Sequence, residues 1–282
     1  MRGFPIIIWI LKIIFRIFVR KIIKITENMR IDLRYVFFAV LTCCMTMVYA
    51  ATEEEQYQSD NKFYGTTPFI ELKDMPDLYV CMPPHPAFES PEFANDMVRF
   101  LWGKQQRQDS LRVAIAIADA EWDSLQKVYA NWKDAFGLEI TPEGTPHIYA
   151  LLNKSLRTTD PTRRSVKAHY GRQRPFERFN DAMPSHEEDG LHGEGSYPSG
   201  HTLRGWTITL LLAQIAPARA AAIYRRGMDY GLSRVIVGAH WQSDVDNSRM
   251  AASLLFSILQ TNADFQSMMK KAQKEYQVMT KH

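Results

Sequence analysis

The chain has 282 residues, 46% of them apolar, which is enough for one large buried core or two small ones. Its formal charge of +3 is unevenly placed: residues 1–50 hold eight Lys or Arg against two acids, and the other 26 basic and 29 acidic residues leave a net −3. No nucleic-acid partner is expected from that balance, because a basic face for a phosphate backbone is missing.

Residues 29–50 carry Arg30 and Arg34, then an apolar stretch from Tyr35 to Met47, then small residues at Val48 and Ala50. This is the pattern of a secretory signal peptide, so the mature chain is expected to begin near Ala51 in a periplasmic or secreted location. Upstream, Lys12, Arg16, Arg20 and Lys24 recur every four residues through an Ile- and Phe-rich segment. Residues 1–28 read either as a membrane-surface helix or, as the favoured alternative, as an extension ahead of a true start at Met29. Cleavage removes Cys43 and Cys44 and leaves Cys81, so no intramolecular disulfide is expected, and Cys81 reads as a small buried residue. The polar stretch 51–75 reads as a surface or mobile leader.

From Pro91 the apolar spacing is helical and strand signals are scarce. Phe93 to Trp102 and Leu111 to Phe136 repeat at three and four residue steps, with a break near Asp119 and a stop at Gly137. Thr145-Pro146 opens a helix through Leu156, and Asp160-Pro161 opens another that carries Lys167 and ends near Gly171, with Asp160 as its cap. His201 to Ile215, Ala218 to Ser233, His240 to Leu259 and Ala263 to Val278 complete the set. The expected fold is all-α: a single-domain helical bundle over residues 76–282. The apolar run Trp206 to Ala216 is much shorter than the ~20 residues a membrane span needs, so no stable membrane insertion is expected after signal cleavage.

Three stretches carry chemistry. In Ser233 to Asp244, SRVIVGAHWQSD, a helix starting near His240 would put His240 and Asp244 on one face, one turn apart. A carboxylate on one ring nitrogen fixes the tautomer and leaves the other lone pair free, as a nucleophilic imidazole needs. Arg234 in the same stretch offers a planar set of donors suited to phosphate. The segment KAHYGRQRP adds the cations Lys167 and Arg174. In GSYPSGHT, Ser199 and the Gly200 amide precede a long apolar run, and a helix N-terminus there favours an anion. His201 follows, placed to protonate a leaving oxygen.

Lys167, Arg174 and Pro175, then Pro198, Ser199, Gly200 and His201, then Ser233, Arg234, His240 and Asp244 resemble the three-part signature of the superfamily of type 2 phosphatidic acid phosphatases and vanadium haloperoxidases. Within it, GSYPSGHT and SRVIVGAHWQSDVD closely resemble the bacterial class A non-specific acid phosphatases. The resemblance implies an acid phosphatase acting on small phosphate esters, active on the acid side of neutral and self-associating into a homo-oligomer.

In the scheme this implies, Lys167, Arg174, Arg234, Ser199 and Gly200 hold the phosphoryl oxygens. His240, steadied by Asp244, attacks phosphorus, and His201 protonates the departing alcohol. Protein cations neutralise the charge, so the scheme calls for no metal and no other cofactor. A vanadate-dependent haloperoxidase would use the same cations; the short chain and the close acid-phosphatase signature argue against it. A lipid phosphatase and a phosphate-binding protein without turnover are further alternatives. Ser233 reads either as a phosphate contact or as a local backbone cap and is left out of the site, and Trp206 and Trp241 read as core. The acidic loop Asn180 to Gly195, with His186 and His192, reads as a connector, a lid or, less well, a metal site.

Overall fold

The structure is a computed structural model that describes residues 33–281, so the readings of residues 1–28 and of the start of the signal segment lie outside the described residues. It divides into two compact units, residues up to Ser59 and residues from Asp60. The described residues contain helices and no strand, in agreement with the all-α expectation. Helix α1 runs Leu33–Tyr64, so residues 51–64 of the polar stretch are helical.

From Asp60 onward that stretch is tied down. Asp60 pairs with Arg164, the Tyr64 carbonyl accepts from Asn153, and the Tyr64 ring is buried. The expectation of a mobile leader therefore does not hold for residues 60–75, because one aromatic and a few specific polar contacts outweigh a polar average. Cys81 also departs from expectation: it is exposed.

A 3-10 turn, Leu72–Asp74, and a short helix α2, Leu78–Cys81, lead to α3, Phe93–Gln106, and α4, Ser110–Ala120. Asp109 caps α4 by accepting from the amides of Leu111 and Arg112. The region read as one interrupted helix then splits into α5, Leu125–Ala130, and α6, Lys133–Phe136, with Gly137 in the left-handed conformation that ends it. Helix α7, Pro146–Thr159, has proline in its first turn.

After a 3-10 turn at Asp160–Thr162, α8 spans Arg163–Tyr170 and α9 spans Pro175–Phe179. Asp160 does not cap the start of α8, whose N-cap residue is Thr162. Its carboxylate accepts from Arg163 at 2.7 Å and from Arg204 at 3.3 Å, and two guanidiniums hold it more firmly than backbone amides would.

The acidic loop holds one short helix, α10, Glu188–Leu191. Helix α11, Gly200–Ile215, is the centre of the bundle and is apolar on most sides, as a helix packed all round must be. It packs against α12, Ala220–Ile236, and α13, Gln242–Leu259, while α14, Ala263–Met279, lies on α7.

The core gathers Tyr129, Trp132, Phe136, Leu152, Leu212 and Phe265 with their neighbours. Close approach of α11 and α12 depends on two glycines: a Cβ on Gly205 would fall 2.4 Å from the Tyr230 ring, and one on Gly227 would fall 2.1 Å from Oγ1 of Thr209. Any larger residue would push the helices apart, and with them the loops that carry the site.

No single helix among the described residues is long and apolar enough to cross a membrane. Gly200–Ile215 and Pro217–Ile236 pass only as a pair bent by 120°.

Candidate active site

The site sits where four chain segments meet: the end of α8 and its following loop, the start of α11, the end of α12, and the start of α13. His240 does not lie on a helix with Asp244, as its spacing led us to expect. Helix α13 begins at Gln242 with Trp241 as its N-cap residue, and His240 precedes it in a turn. Asp244 is the third helical residue, and its Oδ2 reaches back to accept the Trp241 amide at 2.8 Å. The same oxygen stands 3.5 Å from Nδ1 of His240. The pairing survives because a helix-capping carboxylate points toward the residue just before the helix.

The His240 backbone is placed by Arg234, whose carbonyl accepts from the amides of Ala239 and His240. On the ring, Nδ1 faces Asp244 at 3.5 Å without completing a hydrogen bond to it or to any other protein group. Nε2 lies 3.2 Å from Nη1 of Arg174. With a carboxylate on the Nδ1 side and a guanidinium on the Nε2 side, the ring proton belongs on Nδ1, and the Nε2 lone pair faces the cations.

Arg174 is almost fully buried and spends its guanidinium on carbonyls of Ala239, Glu194 and Gly195. Burial first, and then Arg234, bring it down to about 10. Lys167 shares the Gly195 carbonyl at 2.5 Å. Burial, with Arg174 and Arg163 next, holds its ammonium at about 7.

Arg234 is fully buried, and none of its three guanidinium nitrogens has a hydrogen-bond partner in the protein. Its Nη2 lies 2.7 Å from a carboxylate oxygen of Glu187, in the acidic loop. Unpartnered buried donors on a guanidinium are costly unless an anion meets them.

Ser199 caps α11. Its hydroxyl oxygen accepts from the Thr202 amide at 3.3 Å and from the Thr202 hydroxyl at 3.0 Å, which leaves its own proton to donate elsewhere. The Ser199 amide points to the Asp244 carbonyl at 3.5 Å, tying α11 to α13. At Gly200 a Cβ would come within 2.9 Å of Arg163, so only glycine lets that guanidinium lie against the turn.

On the next residue, Nε2 of His201 hydrogen-bonds the Ala120 carbonyl at 3.0 Å, which puts a proton on Nε2 and leaves Nδ1 as the exchanging atom. Nδ1 lies 3.5 Å from Arg204. Burial, then Arg234 and Arg204, push His201 well below the usual histidine range, and burial, then Arg174 and Lys167, do the same to His240. Arg234 thus acts on both rings, and His240 itself depresses His201.

All eight residues singled out in the sequence therefore belong to one polar cluster: Arg174, Ser199, Gly200, Arg234, His240 and Asp244 are buried, and Lys167 and His201 are half-buried. Ser233 stays outside it, donating to Asp119 at 2.6 Å. Trp241 is core, packed on Phe93 and Phe100. His169 lies against Tyr79 with the two rings tilted by 49° and is exposed.

Sequence reasoning missed several supporting residues. Arg172, inside the KAHYGRQRP stretch, bonds Asp244 at 2.5 Å and Asp96 at 2.8 Å. Asp119 is buried, which raises its carboxyl, and it pairs with Arg226 just before the Ala120 carbonyl that His201 uses. Glu187 lay in a loop with no readable motif. The one available signal was a second arginine beside Arg174. Among the described residues, no three His, Cys, Asp or Glu side chains are grouped to hold a metal ion.

This cluster of cations and imidazoles lies within residues 149–265, which match the family profile of the PAP2 superfamily. The chain is 35% identical to a non-specific acid phosphatase of Providencia stuartii, over 80% of this chain and 95% of the relative. It is 34% identical to an acid phosphatase of Zymomonas mobilis, over 81% and 82%, and 35% identical to a non-specific acid phosphatase of Salmonella typhi, over 74% and 83%. The chain belongs to the class A type of non-specific acid phosphatases within that superfamily, and it is an enzyme.

Proposed function

We propose that this phosphatase is exported and hydrolyses small phosphate monoesters of broad type, nucleotides among them, through a phosphohistidine on Nε2 of His240. The observation that carries the reading is the 3.2 Å approach of Arg174 to His240 Nε2, which aims the ring's lone pair into the cation cluster.

A bound phosphoryl group would be held by Lys167, Arg174 and the free nitrogens of Arg234, with the Ser199 hydroxyl and the Gly200 amide completing the cradle. The Nε2 lone pair attacks phosphorus in line, and the bond from phosphorus to the ester oxygen breaks. The departing oxygen takes a proton from Nδ1 of His201. Water then attacks the phosphohistidine, giving its proton back to that nitrogen; the P–N bond electrons return to Nε2, and phosphate leaves. An alcohol in place of water would yield a transferred phosphoryl group.

Both histidines are held neutral in the resting site at mildly acid pH, so the proton His201 delivers has to arrive with the substrate. The monoanion of a phosphate ester brings one, which supports activity on the acid side.

Replacing His240 with Ala should abolish both phosphate release and acid-quench trapping of a phosphoenzyme; wild-type turnover in that variant would refute the nucleophile. Export is supported by residues 29–50, and recovery of a mature chain starting near Ala51 by osmotic shock would test it. A homo-oligomer is likewise proposed on the family resemblance and is checked by light scattering. The haloperoxidase reading is not favoured, and no halide oxidation is expected with added vanadate.

A further inference from the structure

Asp244 does not serve His240 alone. Its Oδ2 is shared between the Trp241 amide at 2.8 Å and the imidazole at 3.5 Å, while Oδ1 is gripped by Nη1 of Arg172 at 2.5 Å. Arg172 is itself pinned. The same Nη1 donates to the Ser243 hydroxyl at 2.8 Å, and Nη2 donates to Asp96 at 2.8 Å. Asp96 accepts in turn from the Ser243 amide at 2.7 Å and the Ser243 hydroxyl at 2.6 Å. The side chains of Arg172, Asp96 and Asp244 are all at most 1% exposed. The guanidinium also lies over the Trp241 ring at 5.5 Å.

We propose that Arg172 is a positioning residue for the phosphoryl transfer: held by Asp96, it fixes the carboxylate of Asp244 and with it the orientation and charge of the His240 ring. The proposal rests on the reading of His240 as nucleophile.

The argument is electrostatic as well as geometric. A carboxylate free to turn fully onto Nδ1 would pull a second proton onto the imidazole and occupy the lone pair that attacks phosphorus. Arg172 and the Trp241 amide hold it back, so Asp244 orients the ring without charging it.

The other groups facing His240 are Lys167 from α8, Arg174 from the following loop, the Ser196 backbone, His201 from α11 and Arg234 from α12. Arg174, Lys167 and Arg234 disfavour a second proton, and neither they nor His201 contact the Asp244 carboxylate by hydrogen bond. Arg172 is the cation that works through the carboxylate, and the hydrogen bonds its Nη atoms make all go to Asp96, Asp244 and Ser243.

The test uses Arg172→Gln, Arg172→Lys and Asp96→Asn in the full chain. The first readout is an NMR titration of the His240 ring, assigned against His240→Gln. Arg172→Gln is expected to raise the ring's titration midpoint by about one pH unit, with Asp96→Asn between it and wild type and Arg172→Lys near wild type. In steady-state assays Arg172→Gln should lower kcat about 10- to 100-fold, the size expected of a misplaced reacting group, with KM within about twofold. The acid limb of its pH profile should move to higher pH, and Arg172→Lys should recover part of the rate.

If Arg172→Gln fails to fold, Asp96→Asn carries the same test, because it frees Arg172 without removing it. An unmoved ring titration and acid limb in folded variants, with only a lower Tm, would reduce Arg172 to a structural strut and overturn the proposal. Absence of a phosphoenzyme in wild type would instead overturn the reading of His240, and the ring titration distinguishes the two failures because it does not depend on turnover.

Discussion

A carboxylate oxygen of Glu187 lies 2.7 Å from Nη2 of Arg234, so the acidic loop places a negative charge on a cation proposed to hold the phosphoryl group. The Ser185 hydroxyl steadies that carboxylate at 3.2 Å, and the loop backbone at Glu194 and Gly195 occupies Arg174 and Lys167 in the same way. A phosphate arriving at Arg234 competes with Glu187. Glu187→Gln keeps the shape and deletes the competing charge, so KM and the inhibition constant for inorganic phosphate are both expected to fall by about tenfold, equivalent to ~1.4 kcal/mol, with a smaller change in kcat. Steady-state kinetics with product inhibition checks this, and an unchanged or higher KM would refute it.

Lys167 gives a prediction of binding-linked protonation. Burial, with Arg174 and Arg163, leaves its ammonium at about 7, so above that pH the empty site has lost one cation. A bound dianion restores it, because an opposite charge favours the protonated amine. Sulfate is the suitable probe, since it does not itself titrate near neutrality. At pH 8 binding should take up roughly 0.9 proton, seen by calorimetry in buffers of different ionisation heat. The two histidines lie too low to contribute there. Lys167→Met should bind more weakly and take up none; equal uptake in that variant would assign the proton elsewhere.

The depressed histidines predict where the alkaline side of the activity profile falls. With both rings neutral, the monoanion is the productive form, and it disappears as pH rises through the second ionisation of the ester, near ~6 for ordinary phosphates. The limb of kcat/KM should therefore follow the substrate: two aryl phosphates whose second ionisations differ by about one pH unit should give limbs displaced by the same amount. Above about 7 the fall should steepen as Lys167 discharges. A limb fixed at one pH for both esters would show that His201 carries its own proton.

Much of this site was legible in the sequence, and the reason is chemical. The groups proposed to touch phosphate are few in type, and they fall in three short runs whose internal spacing is set by one helix start or one turn. Ser199 at the cap of α11 is such a case. Helix existence was legible for the same reason, since α11, α13 and α14 repeat their apolar residues at helical steps over many turns. What could not be read are the contacts that bring the runs together. Arg172 and Asp96 are 76 residues apart, and Asp96 and Ser243 are 147 apart; no local pattern marks either pair. Asp160 looked like a cap because its neighbours are those of a cap, yet Arg204, 44 residues later, claims it. Tyr64 is hidden in a polar stretch because one aromatic hardly changes the average of its window.

Asp160 also predicts how the fold withstands the acid in which the enzyme works. Its carboxylate is buried, which alone would raise it, but Arg163 and Arg204 more than reverse that and hold it well below the usual carboxylate range. A carboxyl lowered by folding contributes stability that is complete above its unfolded value near ~4, and that contribution is lost only as pH falls through the lower folded value. The whole contribution is therefore present at pH 5 to 6. Asp160→Asn leaves two buried guanidiniums without their counter-ion, at a cost of about 3–5 kcal/mol. Urea unfolding between pH 2 and 7 should show lower stability throughout and a flatter dependence below pH 4. Because Arg163 lies against Gly200, the same variant should also raise KM for phosphate esters as that guanidinium is released. If stability falls with KM unmoved, the Asp160 pair supports the bundle without shaping the anion site.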